Sequence, residues 1–372
     1  MSNELRRFPL NGTFELTGRC NLSCKMCLVR VDQKRIRELG MRERTADEWI
    51  RLAEQAAGAG TLNLLLTGGE VMVRPDFCEI YEAIAKMGFL LTVYTNATLV
   101  TDKVMELFRR YPPHKIGVTM YGTSNETYRR LSGCGDGYER FLQGTELLRK
   151  LPSLFELRTT IVKENAEDLP AMKAYAAQKF GDEKALHISR FVSKAVRGGI
   201  CRPEEVRLSP EESVRCTESY LLELQEEIAR SEAKRIAFSQ ELFTRREAKD
   251  GEEGRCMFLA CRAGLDQYAV DWAGRMYACG LMTQGYTDPF EDGFAYAWEH
   301  LMEQYPLSKV IPECRDCKYA GICETCPANR LAETGDWFGV PEYACREAEY
   351  KYQLLKNIGV IHERGENNEE RI

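Results

Sequence analysis

Thr13-Phe14-Glu15-Leu16-Thr17-Gly18-Arg19-Cys20-Asn21-Leu22-Ser23-Cys24-Lys25-Met26-Cys27 decides how the rest of this 372-residue chain is read. Thr13–Thr17 predicts a short strand, and three cysteines follow it with the spacing CxxxCxxC. With 15 cysteines in the chain, chance yields this spacing in roughly 0.02 of such sequences. The thiols therefore lie on a loop at the carboxyl end of a strand, where parallel α/β folds keep their chemistry. Three thiolates leave a four-iron cluster one ligand short, so one iron stays open to a small molecule. A zinc site with a remote fourth ligand, or three unconnected thiols, would satisfy the same residues.

Working outward, apolar runs alternate with helical patterns. Strands are expected at Thr13–Thr17, Leu62–Leu66, Phe89–Tyr94, Ile116–Met120, Glu156–Val162 and Ala185–Ser189. Helices are expected at Ala46–Ala57, Asp76–Lys86 and Asp102–Arg110, the last two opening on an acidic residue. Six strand–helix alternations make an α/β fold with a parallel sheet, either doubly wound or curled like a barrel. Ser209-Pro210-Glu211-Glu212 reads as N-cap, proline at N1 and capping-box glutamate, starting a charged helix toward Phe243. A linker at 249–254 then leads into a cysteine-rich segment, and the tail after Gly365 is polar.

The net charge of −6 disfavours nucleic acid as a partner. No stretch reaches the roughly 20 apolar residues that span a bilayer, and no signal peptide is evident, so a cytoplasmic protein without membrane attachment is expected. Clustered thiols in a reducing compartment point to metal or redox chemistry.

The carboxyl-terminal half places Cys256, Cys261, Cys279, Cys314, Cys317, Cys323, Cys326 and Cys345 within ninety residues. Eight thiolates are enough for two fully ligated four-iron clusters. Asp271–Tyr277 reads as a hairpin turn that would bring Cys261 and Cys279 together. The pairs Cys314/Cys317 and Cys323/Cys326 would suit a zinc ribbon equally well if taken alone.

The CxxxCxxC loop resembles the signature of the radical S-adenosylmethionine (SAM) superfamily, with Met26 where that family usually has an aromatic residue. Leu64-Leu65-Leu66-Thr67-Gly68-Gly69-Glu70 resembles its glycine–glycine–glutamate motif, with Val71 where proline is common. The cysteine-rich segment resembles the SPASM extension of these enzymes, although two rather than three residues separate Cys323 from Cys326. The resemblance implies a partial (β/α)6 TIM-like barrel with a small Cys-rich C-terminal cluster-binding domain. The corresponding division is a barrel core over 1–200, a helical linker over 201–255, the SPASM domain over 256–350, and a terminal helix and tail over 351–372.

It further implies three [4Fe-4S] clusters and SAM as cofactors. Cys20, Cys24 and Cys27 would hold the cluster that binds SAM. Cys256, Cys261, Cys279 and Cys326 would hold a nearer auxiliary cluster, and Cys314, Cys317, Cys323 and Cys345 an outer one. SAM contacts are expected from Gly68, Gly69 and Glu70 (its amino group), Asn96, Thr119 (ribose), Arg130 or Arg129 (carboxylate) and Met26 (adenine). No catalytic acid or base is assigned.

In the family the open cluster reduces SAM to methionine and a 5′-deoxyadenosyl radical, which abstracts hydrogen from substrate. The layout implies an oxidoreductase that matures a ribosomally made peptide by thioether or carbon–carbon crosslinking. Formylglycine formation in sulfatases, radical epimerisation or dehydrogenation of a small molecule, and a non-catalytic zinc-stapled interaction protein are the alternatives. Sulfatase-maturing relatives carry an aspartate directly after the cysteine equivalent to Cys279, whereas this chain has Gly280-Leu281-Met282. An external electron donor such as flavodoxin or ferredoxin is implied. About a dozen residues precede Thr13, so a leader peptide is expected to be gripped by the barrel rim, the Arg30–Arg44 stretch or a separate leader-binding protein. Otherwise Arg30–Arg44 is expected as a solvated loop, with a clamp for an acidic substrate as the sharper alternative. His187 could face the barrel lumen but is expected as a satisfied core histidine, and Cys78 and Cys134 are expected as buried small apolar side chains.

Overall fold

A computed structural model describes residues 7–182, 185–194, 196–197, 201–216, 262–306 and 311–357. Six parallel strands appear where expected: β1 (Asn11–Thr17), β2 (Asn63–Gly68), β3 (Leu90–Thr95), β4 (Lys115–Thr119), β5 (Leu154–Thr160) and β6 (Leu186–Ser189). Their spatial order, 6-5-4-3-2-1, follows the chain without reversal. A doubly wound sheet reverses at a switch point, so the fold is the α/β partial TIM-like barrel.

The helices α1 (Gln33–Glu38), α2 (Ala46–Gly58), α3 (Phe77–Ala85), α4 (Asp102–Arg110), α5 (Asn125–Ser132), α6 (Gly137–Leu148) and α7 (Leu169–Phe180) fill the crossovers. α2 starts on a capping box formed by Thr45 and Glu48. Its buried Trp49 lies 5.1 Å from the Phe14 ring, which identifies the helix-covered face of β1. Side chains alternate along a strand, so Thr13 and Glu15 face the inner side. Across the inner face of β3, β4 and β5, Lys115 and Arg158 both pair with Glu156. Arg158 also donates to the Tyr94 hydroxyl, 2.5 Å away. Gly117 leaves the space that the Tyr94 ring and Arg158 side chain fill.

Two further strands extend the sheet. β7 (Gln267–Val270) pairs parallel with β1, and β8 (Met276–Tyr277) returns antiparallel after a turn at Asp271–Arg275, within the hairpin expected at Asp271–Tyr277. The described residues within Met1–Arg207 and Cys256–Pro306 form one compact unit, and those within Leu208–Arg255 and Leu307–Ile372 a second. This division differs from the expected boundaries at 200, 255 and 350. The reason is that the hydrogen bonds of β7 go to β1, so the first part of the cysteine-rich segment finishes the barrel sheet.

In the second unit Ser209 caps α9 (Pro210–Arg215), the capping box with Glu212 forming as expected; α8 (Pro203–Val206) precedes it in the first. α9 packs on the helix Glu342–Asn357, where Ser213 donates to Glu347 at 2.5 Å and Tyr343 to the Leu208 carbonyl at 3.0 Å. The expected helix beyond Cys216 toward Phe243, the 249–254 linker and the tail lie outside the described residues. Among the described residues no helix is long and apolar enough to cross a membrane.

His187 is exposed and sits opposite Arg158 in the β5–β6 register, so it is not a core histidine. Cys78 and Cys134 are only half-buried, and Cys134 donates to Asp136 at 3.2 Å. The Arg30–Arg44 stretch is mixed. Lys34, Arg35 and Arg37 are solvated, but Arg44 is held by the Ala273 carbonyl, Asp288 and the face of Phe290.

Candidate functional site

The carboxyl end of β1 is clamped before the first cysteine arrives. The Glu43 carboxylate accepts from the Thr17 hydroxyl, the Gly18 amide at 3.2 Å and Arg19 Nε at 3.0 Å. From the other side, the Gly69 amide donates to the Thr17 carbonyl at 2.8 Å and the Glu70 amide to the Arg19 carbonyl at 2.9 Å. Gly68 has φ +135°, and a Cβ there would strike the Thr17 carbonyl; a Cβ at Gly69 would strike that of Arg19. The two glycines were expected to admit a ligand. The close approach they visibly serve is to the backbone leading into Cys20.

The cysteine loop then docks on the end of α5, with the Ser23 amide bonded to the Ser132 carbonyl and the Lys25 amide to that of Leu131. Leu22, Cys24 and Met26 are buried among Leu131, Val162, Val192, Cys201 and Val206, and Cys20, Cys27 and Tyr121 pack against this cluster. Burial pushes the Cys20 thiol up to about 12, with Glu70 and Cys27 adding to the rise. Burial likewise raises Cys24 well above an ordinary thiol, reinforced by Cys27 and Cys20, and raises Cys27. Thiolates crowded in an apolar setting are stabilised by a polyvalent cationic centre, and three thiols on one loop fit the donor set of an iron–sulfur cluster.

Beside the loop, the Glu70 carboxylate is buried and accepts from the Thr95 hydroxyl at 2.9 Å, the Asn96 amide at 2.7 Å and the Met72 amide at 3.2 Å. Burial raises its pKa against the pull of those donors. Asn96 Nδ2 reaches Asn21 Oδ1 at 3.0 Å and Cys20 Sγ at 3.8 Å. The following residue, Ala97, has φ +59°, a rare conformation for a residue with a Cβ. The structure thus brings Cys20, Glu70 and Asn96 together at adjacent strand ends. Thr119 ends β4, half-buried. Met26 lies in the apolar cluster. Arg130 is exposed and donates to the Glu164 carbonyl, and Arg129 pairs with Glu126, so neither joins the Cys20–Glu70–Asn96 group.

A buried ion network missed in the sequence ties this loop to the Cys279 loop. Val196 and Arg197 donate backbone amides to the Leu28 carbonyl, directly after Cys27. The Arg197 side chain is fully buried. It bonds Glu15 at 3.1 Å and the carbonyls of Gly280 and Met282 at 2.9 and 2.6 Å, and it lies 3.7 Å from Asp271. Burial pushes Glu15 up to about 7 despite Arg197. Nothing local marks these residues, because Glu15 and Arg197 are 182 positions apart.

In the second unit, Cys314, Cys317, Cys323 and Cys345 line one cavity of about 160 Å³. Burial raises the Cys345 thiol, with Cys323, Cys314 and Cys317 adding to it. Four thiols around one void match the donor set of a closed cubane. Cys326 is separate, at the N-cap of the helix Pro327–Thr334. Cys279 follows β8 in the first unit, while Cys256 and Cys261 lie outside the described residues. Among the described residues no three Cys, His, Asp or Glu side chains converge closely enough to hold a single metal ion. A cubane takes each thiolate on its own iron, so its ligands ring a void rather than meet at a point.

Residues 14–176, from β1 into α7, match the Radical SAM superfamily. Those residues form a radical SAM domain, and the protein is an enzyme. It is 27% identical to the AdoMet-dependent heme synthase of Methanosarcina barkeri over 89% of this chain and 94% of that protein. It is 28% identical to the PqqA peptide cyclase of Granulibacter bethesdensis over 46% of this chain and 45% of that protein. The fold resembles Streptococcus suis SuiB bound to precursor peptide SuiA, with TM-score 0.64, 17% identity, and coverage of 91% of this chain and 76% of that one.

Proposed function

We propose that this protein modifies a ribosomally made peptide by radical chemistry, forming a thioether or carbon–carbon crosslink. Cys20, Cys24 and Cys27 are assigned to the SAM-binding cluster, and Cys314, Cys317, Cys323 and Cys345 to the outer auxiliary cluster. Cys256, Cys261, Cys279 and Cys326 are assigned to the nearer one. The observation that carries the peptide reading is the likeness to a peptide cyclase, supported by a similar fold in a protein solved with its precursor peptide.

Cys20, Cys24 and Cys27 would hold the cluster, which when bound would supply the electron for reductive cleavage of SAM. This chain's residues supply position and shelter. The apolar cluster around Cys24 and Met26 excludes water from one side of the loop. Glu70 fixes Thr95 and Asn96 beside Cys20, where the strand end would hold the amino group of SAM. No acid follows Cys279, where Arg197 instead holds the carbonyls of Gly280 and Met282. That loop offers no proton acceptor, which favours a crosslink over formylglycine formation. An external electron donor such as a flavodoxin or ferredoxin, and a separate leader-binding protein, complete the proposal.

The test is mass spectrometry of candidate precursor peptides incubated with the reconstituted enzyme, SAM and a reductant. Loss of two hydrogens from the peptide together with 5′-deoxyadenosine is the expected result. Conversion of a sulfatase cysteine or serine to formylglycine would overturn it. A second reading, radical modification of a small molecule, draws on the heme synthase match, which spans nearly the full length of both proteins. It predicts 5′-deoxyadenosine formation stimulated by a non-peptide substrate.

A further inference from the structure

Arg330 stands out among the charged side chains near the proposed cluster sites because its guanidinium shares a cavity with four cysteines. It projects from the helix Pro327–Thr334 and lines the same void as Cys314, Cys317, Cys323 and Cys345. One arm, Nη1, donates to the Gly339 carbonyl at 2.8 Å, and the other, Nη2, donates to Cys314 Sγ at 3.4 Å. The carbonyl bond holds the fork in place, so the second arm is presented to the sulfur in a set geometry.

The potential of an iron–sulfur cluster responds to net charge and to hydrogen bonds at the sulfurs. A reduced cluster carries one more negative charge than the oxidised one. A fixed cation that donates to a ligand sulfur therefore stabilises the reduced state more strongly. Lysine would keep the charge but not the two-armed geometry.

We infer that Arg330 sets the reduction potential of the outer auxiliary cluster, raising it by donating to Cys314 Sγ from inside the cluster cavity. This rests on the assignment of Cys314, Cys317, Cys323 and Cys345 to a four-iron cluster. A purely structural Arg330, which only ties its helix to Gly339, would change stability and leave the potential alone.

The experiment is a redox titration followed by electron paramagnetic resonance on the anaerobically reconstituted full chain. The C20A/C24A/C27A background removes the first cluster's signal. Iron content and signal of that parent test the cluster assignment: zinc without iron in the second unit fails the assignment, independently of Arg330. With the signal present, R330M is expected to lower one auxiliary midpoint. The expected change is tenfold or more in the reduced-to-oxidised ratio at fixed poise, about 59 mV for a one-electron couple. R330K should fall between R330M and the parent, and the other auxiliary midpoint should not move. If R330M fails to retain iron, R330K and R330Q decide on the same scale. Unchanged midpoints in the variants that retain the cluster overturn the inference.

Discussion

Replacing Arg197 by methionine should destabilise the protein in a way that depends on pH with a definite sign. The side chain is fully buried, with Glu15 at 3.1 Å and Asp271 at 3.7 Å. Asp271 keeps Arg275 at 2.7 Å, whereas Glu15 keeps only the weaker pull of that same arginine. Removing one partner of a buried pair costs about 3–5 kcal/mol, because the other charge is left uncompensated. Glu15 escapes by protonating. Its folded pKa is already raised to about 7 from the ordinary 4.5, and losing Arg197 raises it further. A carboxyl with a raised folded pKa binds a proton more readily folded than unfolded. Its stabilising contribution is thus present at low pH and is lost as pH rises through the folded value. The wild-type contribution fades as pH rises from about 4.5 through 7, whereas that of R197M fades from the same starting point and continues above 7. The loss caused by the mutation should therefore be about 1 kcal/mol smaller at pH 6 than at pH 8. Urea unfolding of the reconstituted protein at both pH values, followed by circular dichroism under anaerobic conditions, measures this. R197K, which keeps a cation beside Glu15, should lose less and show little pH dependence. A loss for R197M that is below 1 kcal/mol, or equal at the two pH values, would refute the reasoning.

Three other outcomes follow from the site. Reconstituted wild type should approach about 12 irons and C20A/C24A/C27A about 8, with SAM cleavage abolished in the variant; iron analysis and a 5′-deoxyadenosine assay check this, and stoichiometric zinc without iron would sink the assignment. Gly69→Ala should disturb the approach to Cys20, because its methyl would meet the Arg19 carbonyl. Iron retention by the first cluster should drop while the outer cluster persists, as read from the separate resonance signals. Glu70→Ala leaves the buried Asn96 amide and Thr95 hydroxyl without their acceptor, a cost of about 1–3 kcal/mol. It should weaken SAM binding while the iron stays, and unchanged affinity by calorimetry would show that Glu70 has no part in the SAM site.

The amino-acid sequence by itself determined the strand–helix alternation, the CxxxCxxC loop at the end of β1, the helix start at Ser209 and the hairpin within Asp271–Tyr277. Each is written in a short window: apolar periodicity, a capping residue, or cysteines close enough along the chain to be neighbours on one loop. The same local reading could not choose between a doubly wound sheet and a barrel, because strand order depends on pairings across the whole chain. Only the tertiary structure decided that order, and only it attached β7 to β1 across some 250 residues. It likewise turned Gly68 and Gly69 toward the Thr17–Arg19 backbone, joined Glu15 to Arg197, and set Arg330 among four cysteines. Those are long-range contacts between ordinary residues. A buried arginine and a surface arginine are spelled alike, and what distinguishes them is the set of partners that folding places around each one.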